Sequence, residues 1–337
     1  MPQYRVVKNR KPRRQGQATK QDVADFDSDS ELDQHSPHAA DRGLRLLPRT
    51  SAEQAARRLT RNTQIQPAGI FRPQDHFLAP EQHFPLQTIS VRTQWPRYVN
   101  RFNSKEMMLV VDGSCVNNGA GARSNQPVGA GSAPKGGLSF IYNDGGNGGD
   151  KTTMLYQTTG MENMRGNPPV DLSLPDITGT IAMPLEQKGP RGDTHTHTSN
   201  RAKLRAVIAA LDFRPWHSEG WHTVVVVTDL EYVALGATRW LPAWVRQGWR
   251  AAPRRDGRGR PRPGRKLANR DLWEELQARV EDLRANGTEV AFWLVPPRGL
   301  AREDSNLLRE AKGAAREAAR SSGAELGDYT RLCGLFV

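Results

Sequence analysis

The sequence predicts an α/β fold built on a mixed sheet, and three stretches carry that prediction. Thr223–Val227 is an almost pure β-branched run, which reads as a central strand buried on both faces. Met107–Val116 (MMLVVDGSCV) is a short apolar run breaking into a polar turn, as a buried strand does where it ends. Asn200–Leu211 places Leu204, Val207, Ile208 and Leu211 at helical spacing, behind a Ser199 suited to cap the helix.

The other elements follow in chain order. Residues 1–104 read as a poorly ordered arm, with a basic cluster at Lys8–Arg14 (KNRKPRR), an acidic one at Asp25–Asp33 and no sustained apolar period beyond a short helix around Ala52–Leu59. After the Met107 strand come strands at Gly137–Tyr142 and Thr152–Gln157, joined by the hairpin turn NDGGNGGD. Residues 158–197, rich in Gly and Pro, read as an insertion loop. Its end carries His195 and His197, which are either part of an extended segment or metal ligands lacking an evident third partner. The β-branched run ends at Thr228-Asp229. A helix from Glu231 to about Arg250 follows, kinked or broken at Pro242. Further helices span Asn269–Ala285, ending at Asn286-Gly287, and Glu303–Ser321, with a strand at Glu289–Val295 between them. A domain over 105–322 is thus followed by a tail at 323–337.

Composition narrows the function. A net charge of +12 over 337 residues favours an acidic partner, with nucleic acid ahead of anionic membrane. The two cysteines, Cys115 and Cys333, form no disulfide framework, and no Cys/His spacing suggests zinc. No apolar run approaches a membrane span or a secretory signal, so the reading is a soluble, intracellular protein without a membrane partner. KNRKPRR reads as a nuclear import signal, a nucleic-acid tether or a plain charged tail; early acids count against mitochondrial import without ruling it out.

Two acids stand at strand ends, Asp112 and Asp229, where sites gather in open α/β sheets and where paired carboxylates suit Mg²⁺; each equally reads as a cap of its turn. The surrounding words decide between these. Asp112-Gly113-Ser114-Cys115 with Asn118, Thr198-Ser199-Asn200-Arg201-Ala202-Lys203-Leu204, Thr228-Asp229-Leu230-Glu231-Tyr232-Val233, then Trp240, Trp244, Gly248-Trp249, Asn269 and Asp271-Leu272-Trp273 follow in that order. Over Met107 to Ala319 the chain resembles the type 1 ribonuclease H family. The resemblance implies a ribonuclease H-like fold, a five-stranded mixed sheet flanked by helices. It also implies cleavage of the RNA strand of an RNA–DNA hybrid with two Mg²⁺ ions held by four carboxylates.

Carried over position by position, the first carboxylate is Asp112 and the third Asp229, but the second falls on Lys203 and the fourth on Leu308, three residues before the Ala311–Ala315 pattern. An ammonium about 4 Å from a Mg²⁺ site repels it by several kcal/mol even at an effective dielectric near 20, so the expectation is that Lys203 salt-bridges both aspartates in the metal's place. Mg²⁺ binding by Asp112 and Asp229 is then weak. Asp304, one helical turn (about 6 Å) before Leu308, is the candidate for a partial rescue. The resemblance further places Cys115, Asn118, Ser199 and Asn200 along the hybrid's minor groove, where ribose 2′-hydroxyls are sensed. It makes the Gly- and Pro-interleaved run with Arg246, Arg250, Arg254, Arg255, Arg258, Arg260, Arg262, Arg265 and Lys266 an extended basic arm that grips phosphates. Trp240, Trp244 and Trp249 are expected to pack its base. The expectation is a binder of RNA–DNA hybrid or double-stranded nucleic acid with little or no nuclease activity. The alternatives are an active Mg²⁺-dependent hybrid ribonuclease and a protein-interaction module with a partner on the N-terminal arm.

Overall fold

The computed structural model of the chain describes residues 65–87, 96–117, 133–144, 179–250, 254–255, 257, 259–262, 264–295, 305–321 and 327–332. Its elements are β1 (Gly69–Ile70), α1 (Pro80–His83), β2 (Leu86–Gln87), β3 (Arg97–Tyr98), β4 (Glu106–Val116), β5 (Lys135–Ile141), β6 (Thr180–Pro184), α2 (Ser199–Asp212), β7 (Thr223–Thr228), α3 (Glu231–Leu235), α4 (Leu241–Arg246), β8 (Arg254–Arg255), β9 (Pro261–Arg262), α5 (Arg270–Ala285), β10 (Glu289–Leu294) and α6 (Asn306–Arg320).

A mixed sheet runs in the order β1-β10-β7-β4-β5-β6. β1, β10, β7 and β4 are parallel, while β5 and β6 are antiparallel to their neighbours. The β-branched run lies mid-sheet, as its composition required, with both faces covered. Along β4 the side chains alternate between two layers. Met107, Leu109 and Val111 join the α2 and α5 side, whereas Met108 and Val110 join Leu307, Leu308 and Ala311 of α6. Two glycines let helices close on the sheet. A Cβ on Gly113 would fall 2.3 Å from the Lys203 backbone nitrogen of α2, and one on Gly137 would fall 2.3 Å from the Ala315 carbonyl oxygen of α6.

Four expectations are corrected. The sheet has six strands rather than five, because β1 adds to the edge of β10. β1 comes from the stretch read as an arm, and residues 65–87 and 96–104 pack as a wrap: Phe84 is fully buried, Phe71 stacks 5.3 Å from Trp293, and Glu81 accepts hydrogen bonds from Ser305 Oγ and the Asn306 N–H at the start of α6. The wrap's apolar anchors are widely spaced and follow neither period, so no pattern betrayed them. The third strand of the hairpin series is Thr180–Pro184, inside the stretch read as an insertion loop, while Thr152–Gln157 lies outside the described residues. The helix after this loop is capped by Thr198, whose Oγ1 accepts from the Arg201 N–H at 3.1 Å, and not by Ser199, which is already helical.

Residues 327–332, within the stretch read as a tail, also dock. Glu186 and Arg205 form a fully buried ion pair at 2.7 Å, and the backbone of Thr330 bonds to both. Tyr329 lies 4.4 Å beneath the Arg205 guanidinium, and Leu332 enters the main core. Among the described residues no helix is long and apolar enough to cross a membrane.

Candidate functional site

β4 and β7 run parallel, and their pairing ends at Val110 and Val227. Asp112 lies two residues further along β4, which runs on to Val116 beside β5, and Asp229 is the residue just past β7, so the point where the two strands stop pairing brings both carboxylates together. The close approach at Gly113 sets the second turn of α2 over this end and delivers Lys203 between them. Its Nζ stands 2.8 Å from Asp112 Oδ1 and donates a hydrogen bond to Asp229 Oδ1. The three side chains are 13%, 7% and 14% exposed for Lys203, Asp112 and Asp229. Asp112 Oδ1 also accepts the Gly113 N–H at 2.6 Å.

Burial pushes the Asp112 carboxyl above its ordinary value, and the Lys203 ammonium offsets this only in part. Burial alone would lower Lys203, but the two aspartates outweigh it and hold the ammonium charged to higher pH than an ordinary lysine.

Leu308 belongs to the apolar layer of Val110, Val225, Val227 and Trp293, and the first turn of α6 carries no acid. Asp304 lies outside the described residues, and Glu310 accepts a hydrogen bond from Thr180 Oγ1 at 2.7 Å. This donor set does not fit a pair of divalent ions. The carboxylate oxygens facing one another are taken by an ammonium, Leu308 is hydrocarbon, and among the described residues no three His, Cys, Asp or Glu side chains converge on a metal position. His197 instead accepts the Gly136 N–H at Nδ1 and, with Nε2 3.2 Å from the Glu186 carbonyl oxygen, bolts the loop before α2 to β5.

Of the groove residues, Cys115 Sγ lies 3.4 Å from the His197 carbonyl oxygen, which brings it beside the half-buried Ser199 and Asn200 at the start of α2; Asn118 lies outside the described residues. The basic run leaves α4 through a left-handed turn at Gly248 and Trp249. It then forms a two-stranded hairpin, β8 against β9, with an Arg250–Lys266 bridge at its root. Arg246, Arg250, Arg260, Arg265 and Lys266 are exposed; the side chains of Arg254, Arg255 and Arg262, and all of Arg258, lie outside the described residues. Trp249 is buried under the root with Arg270 over its ring at 5.3 Å, and Trp244 packs between Trp240 and Trp273. Gly236 permits that packing, because a Cβ there would fall 2.3 Å from the Trp273 ring.

Sequence reasoning missed the clamp that ties the start of α2 to the start of α5. Arg201 donates to both oxygens of Asp271 at 3.0 and 2.7 Å and to Asn269 Oδ1 at 3.3 Å, joining the start of α2 to the start of α5. Arg191 pairs with buried Glu274 on the same helix. Residues 70 positions apart leave no periodic trace of such contacts.

The model of the RNase H family matches residues 177–288. The chain is 35% identical over 133 residues to a ribonuclease H of Treponema pallidum, covering 39% of this chain and 68% of that one. It is 40% identical over 79 residues to a ribonuclease H of a Cyanothece strain, covering 23% and 43%. The chain thus spans less than half the length of the Cyanothece relative. Among solved structures it is similar to LC9-RNase H1, described as a type 1 RNase H with the type 2 active-site motif, at 21% identity and a TM-score of 0.35, over 66% of this chain and 77% of that one.

Proposed function

The chain belongs to the ribonuclease H family, and we propose that it recognises RNA–DNA hybrid through its groove and basic arm with little or no nuclease activity. One observation carries this reading: the Lys203 ammonium is shared by Asp112 and Asp229. Two-metal phosphodiester cleavage needs carboxylates free to neutralise cations that activate water and stabilise the leaving oxygen. With Lys203 in place of one carboxylate and Leu308 in place of another, the four positions hold a single net negative charge where four carboxylates would supply about four. The Lys203 ammonium is a fixed cation in the site, and a divalent ion entering there meets its like charge; about 4 kcal/mol per unit charge follows at 4 Å and a dielectric of 20. Each 1.36 kcal/mol of lost transition-state stabilisation is tenfold in rate.

The binding surface keeps its parts. Ser199 and Asn200 sit at the helix start with Cys115 beside them, and the arm presents exposed cations from a root fixed by Trp249 and the Arg201–Asp271 clamp. Phosphate contacts of this kind release counterions and supply affinity that falls steeply with salt.

The test is incubation of a labelled RNA–DNA hybrid with the full chain in Mg²⁺ or Mn²⁺, beside the Asp112→Asn variant, with binding measured over a salt series. The expected result is salt-sensitive binding by both proteins and cleavage by neither. Cleavage by the unaltered chain that disappears in Asp112→Asn would overturn the reading and direct attention to Asp304 as a missing ligand.

A further inference from the structure

α6 covers the sheet on the side opposite α2, α5 and the root of the arm. Its buried face is an alanine-rich stripe, and its exposed face carries Arg309, Lys312, Arg316 and Arg320 at spacings of three, four and four residues. A helix turns every 3.6 residues, so these four project from one side over about 16 Å, with neighbours a little over 5 Å apart. Glu317 is the single acid among the exposed residues of that stretch.

The pattern is costly to the helix itself. Lys312 with Arg316 and Arg316 with Arg320 are like-charged pairs four residues apart, which destabilise a helix by a few tenths of a kcal/mol each. α5 uses the same four-residue spacing to set cations against acids, and those acids, Glu274 and Glu275, are buried. There Arg270 pairs with Glu274 at 2.9 Å and Glu275 with Arg279 at 3.1 Å, each at the same four-residue spacing with opposite signs. Among the described residues no ion pair engages Lys312, Arg316 or Arg320, and Arg309 only touches the start of its own helix, at Ser305 and Asn306. The last-turn position of Arg320 suits the negative end of the helix dipole, but that field fades within one turn and does not account for the other three.

We propose that this face of α6 binds the phosphate backbone of a nucleic-acid strand, a second contact separate from the arm. Side chains of this length and spacing, aligned along a straight rod, match successive phosphates on one strand, and guanidinium groups suit phosphate oxygens better than a compact ammonium does. Because the stripe and the arm root lie on opposite sides of the sheet, a short blunt duplex held by the arm leaves the stripe unused. A strand continuing past the hybrid is what reaches it.

The test uses the full chain and fluorescence anisotropy with three labelled probes: a short blunt hybrid, the same hybrid with a single-stranded DNA extension, and the single strand alone. The extension is expected to tighten binding about tenfold at low salt. R309Q/K312Q/R316Q/R320Q removes that gain, weakens binding to the single strand and lowers the salt slope on the tailed probe by about 2 to 3, at roughly 0.7 per phosphate. Its affinity for the blunt hybrid is unchanged. R309K/R316K/R320K, which keeps the charge, retains most of the gain. If the quadruple variant does not fold, K312Q/R316Q removes the central like-charged pair and loses a corresponding part. Equal affinities and salt slopes for the unaltered and quadruple proteins on the tailed probe would overturn the proposal. So would capture of a poly-glutamate peptide by α6 with nucleic-acid binding unaffected. Failure of the hybrid-binding reading shows separately, as weak binding of the blunt probe by the unaltered chain.

Discussion

Arg201 and Lys203 stand two residues apart on α2, and each meets buried carboxylate, yet the two contacts do different work. Arg201 fits Asp271 with a planar fork, two parallel N–H donors on two oxygens, and holds the Asp271 carboxyl below its ordinary value although burial alone would raise it. Lys203 reaches two carboxylates from two strands with one compact ammonium, and burial still leaves Asp112 raised. The first is a joint between helices; the second joins one helix to β4 and to the residue just past β7. The type of cation follows the task, because a guanidinium is a rigid bidentate partner and an ammonium a point charge.

The comparison breaks first at Arg201. Arg201→Ala leaves buried Asp271 without its bidentate partner, with the His195 ring 3.4 Å away as the remaining side-chain contact, and is expected to cost about 3 kcal/mol, read as a lower urea midpoint with an unchanged slope. Hybrid affinity falls with it even under conditions where the variant stays folded, since Asn269 and the arm root lose their anchor. A loss below 1 kcal/mol would show that the clamp is dispensable. Lys203→Met is expected to cost less, about 1 to 3 kcal/mol at neutral pH, because Asp229 keeps some exposure and Asp112 relieves itself by taking a proton. That cost shrinks as pH is lowered, and thermal melts at two pH values measure it; an equal cost at both would contradict the assignment. Lys203→Glu with Leu308→Asp sharpens the same point. The double variant gains several degrees of melting temperature on adding Mn²⁺, the unaltered chain gains none, and hybrid cleavage in Mn²⁺ reports whether four carboxylates suffice.

Smaller effects concern pH and the arm. Burial raises Asp212 to about 7, with Arg279 2.6 Å away offsetting it in part. From about pH 4 to 7 the folded protein therefore holds a proton that the unfolded chain has released, and this group's contribution to stability falls as pH rises through that window. Asp212→Asn flattens the slope there. Asp271 behaves oppositely, since its lowered value contributes stability above pH 4 that is lost as acid protonates it. Smallest for the fold is R250Q/R265Q/K266Q in the exposed arm: stability stays within about 0.5 kcal/mol, while the salt slope of hybrid binding drops by about 3. An unchanged slope would remove the arm from the interface.

Local pattern made particular parts of the fold legible. The β-branched run at Thr223 could only be a covered strand, the spacing of Leu204, Val207, Ile208 and Leu211 only a helix face, and the Gly/Pro-broken cationic run only an extended arm. Asp229 was visible as an acid just past a strand end, whereas Asp112, read the same way, lies inside β4, which runs on to Val116; Lys203 and Leu308 stood out as the odd residues in their words. The wrap of residues 65–87 and 96–104 and strand β6 were not visible, because Phe71, Phe84 and Tyr98 pack by long-range contact and Thr180–Pro184 is too short to show a period.

By itself the sequence determined which residue types stand at the sheet end and how much charge they carry, since covalent identity fixes both. Only the tertiary structure decided that Lys203 is shared by Asp112 and Asp229, that Arg201 locks α2 to α5, and that Thr330 and Tyr329 seal the Glu186–Arg205 pair. The reason is distance. Periodicity records what neighbours three or four residues away require, whereas these contacts join residues 19 to 144 positions apart, and their energies depend on a burial that exists only once the layers have closed.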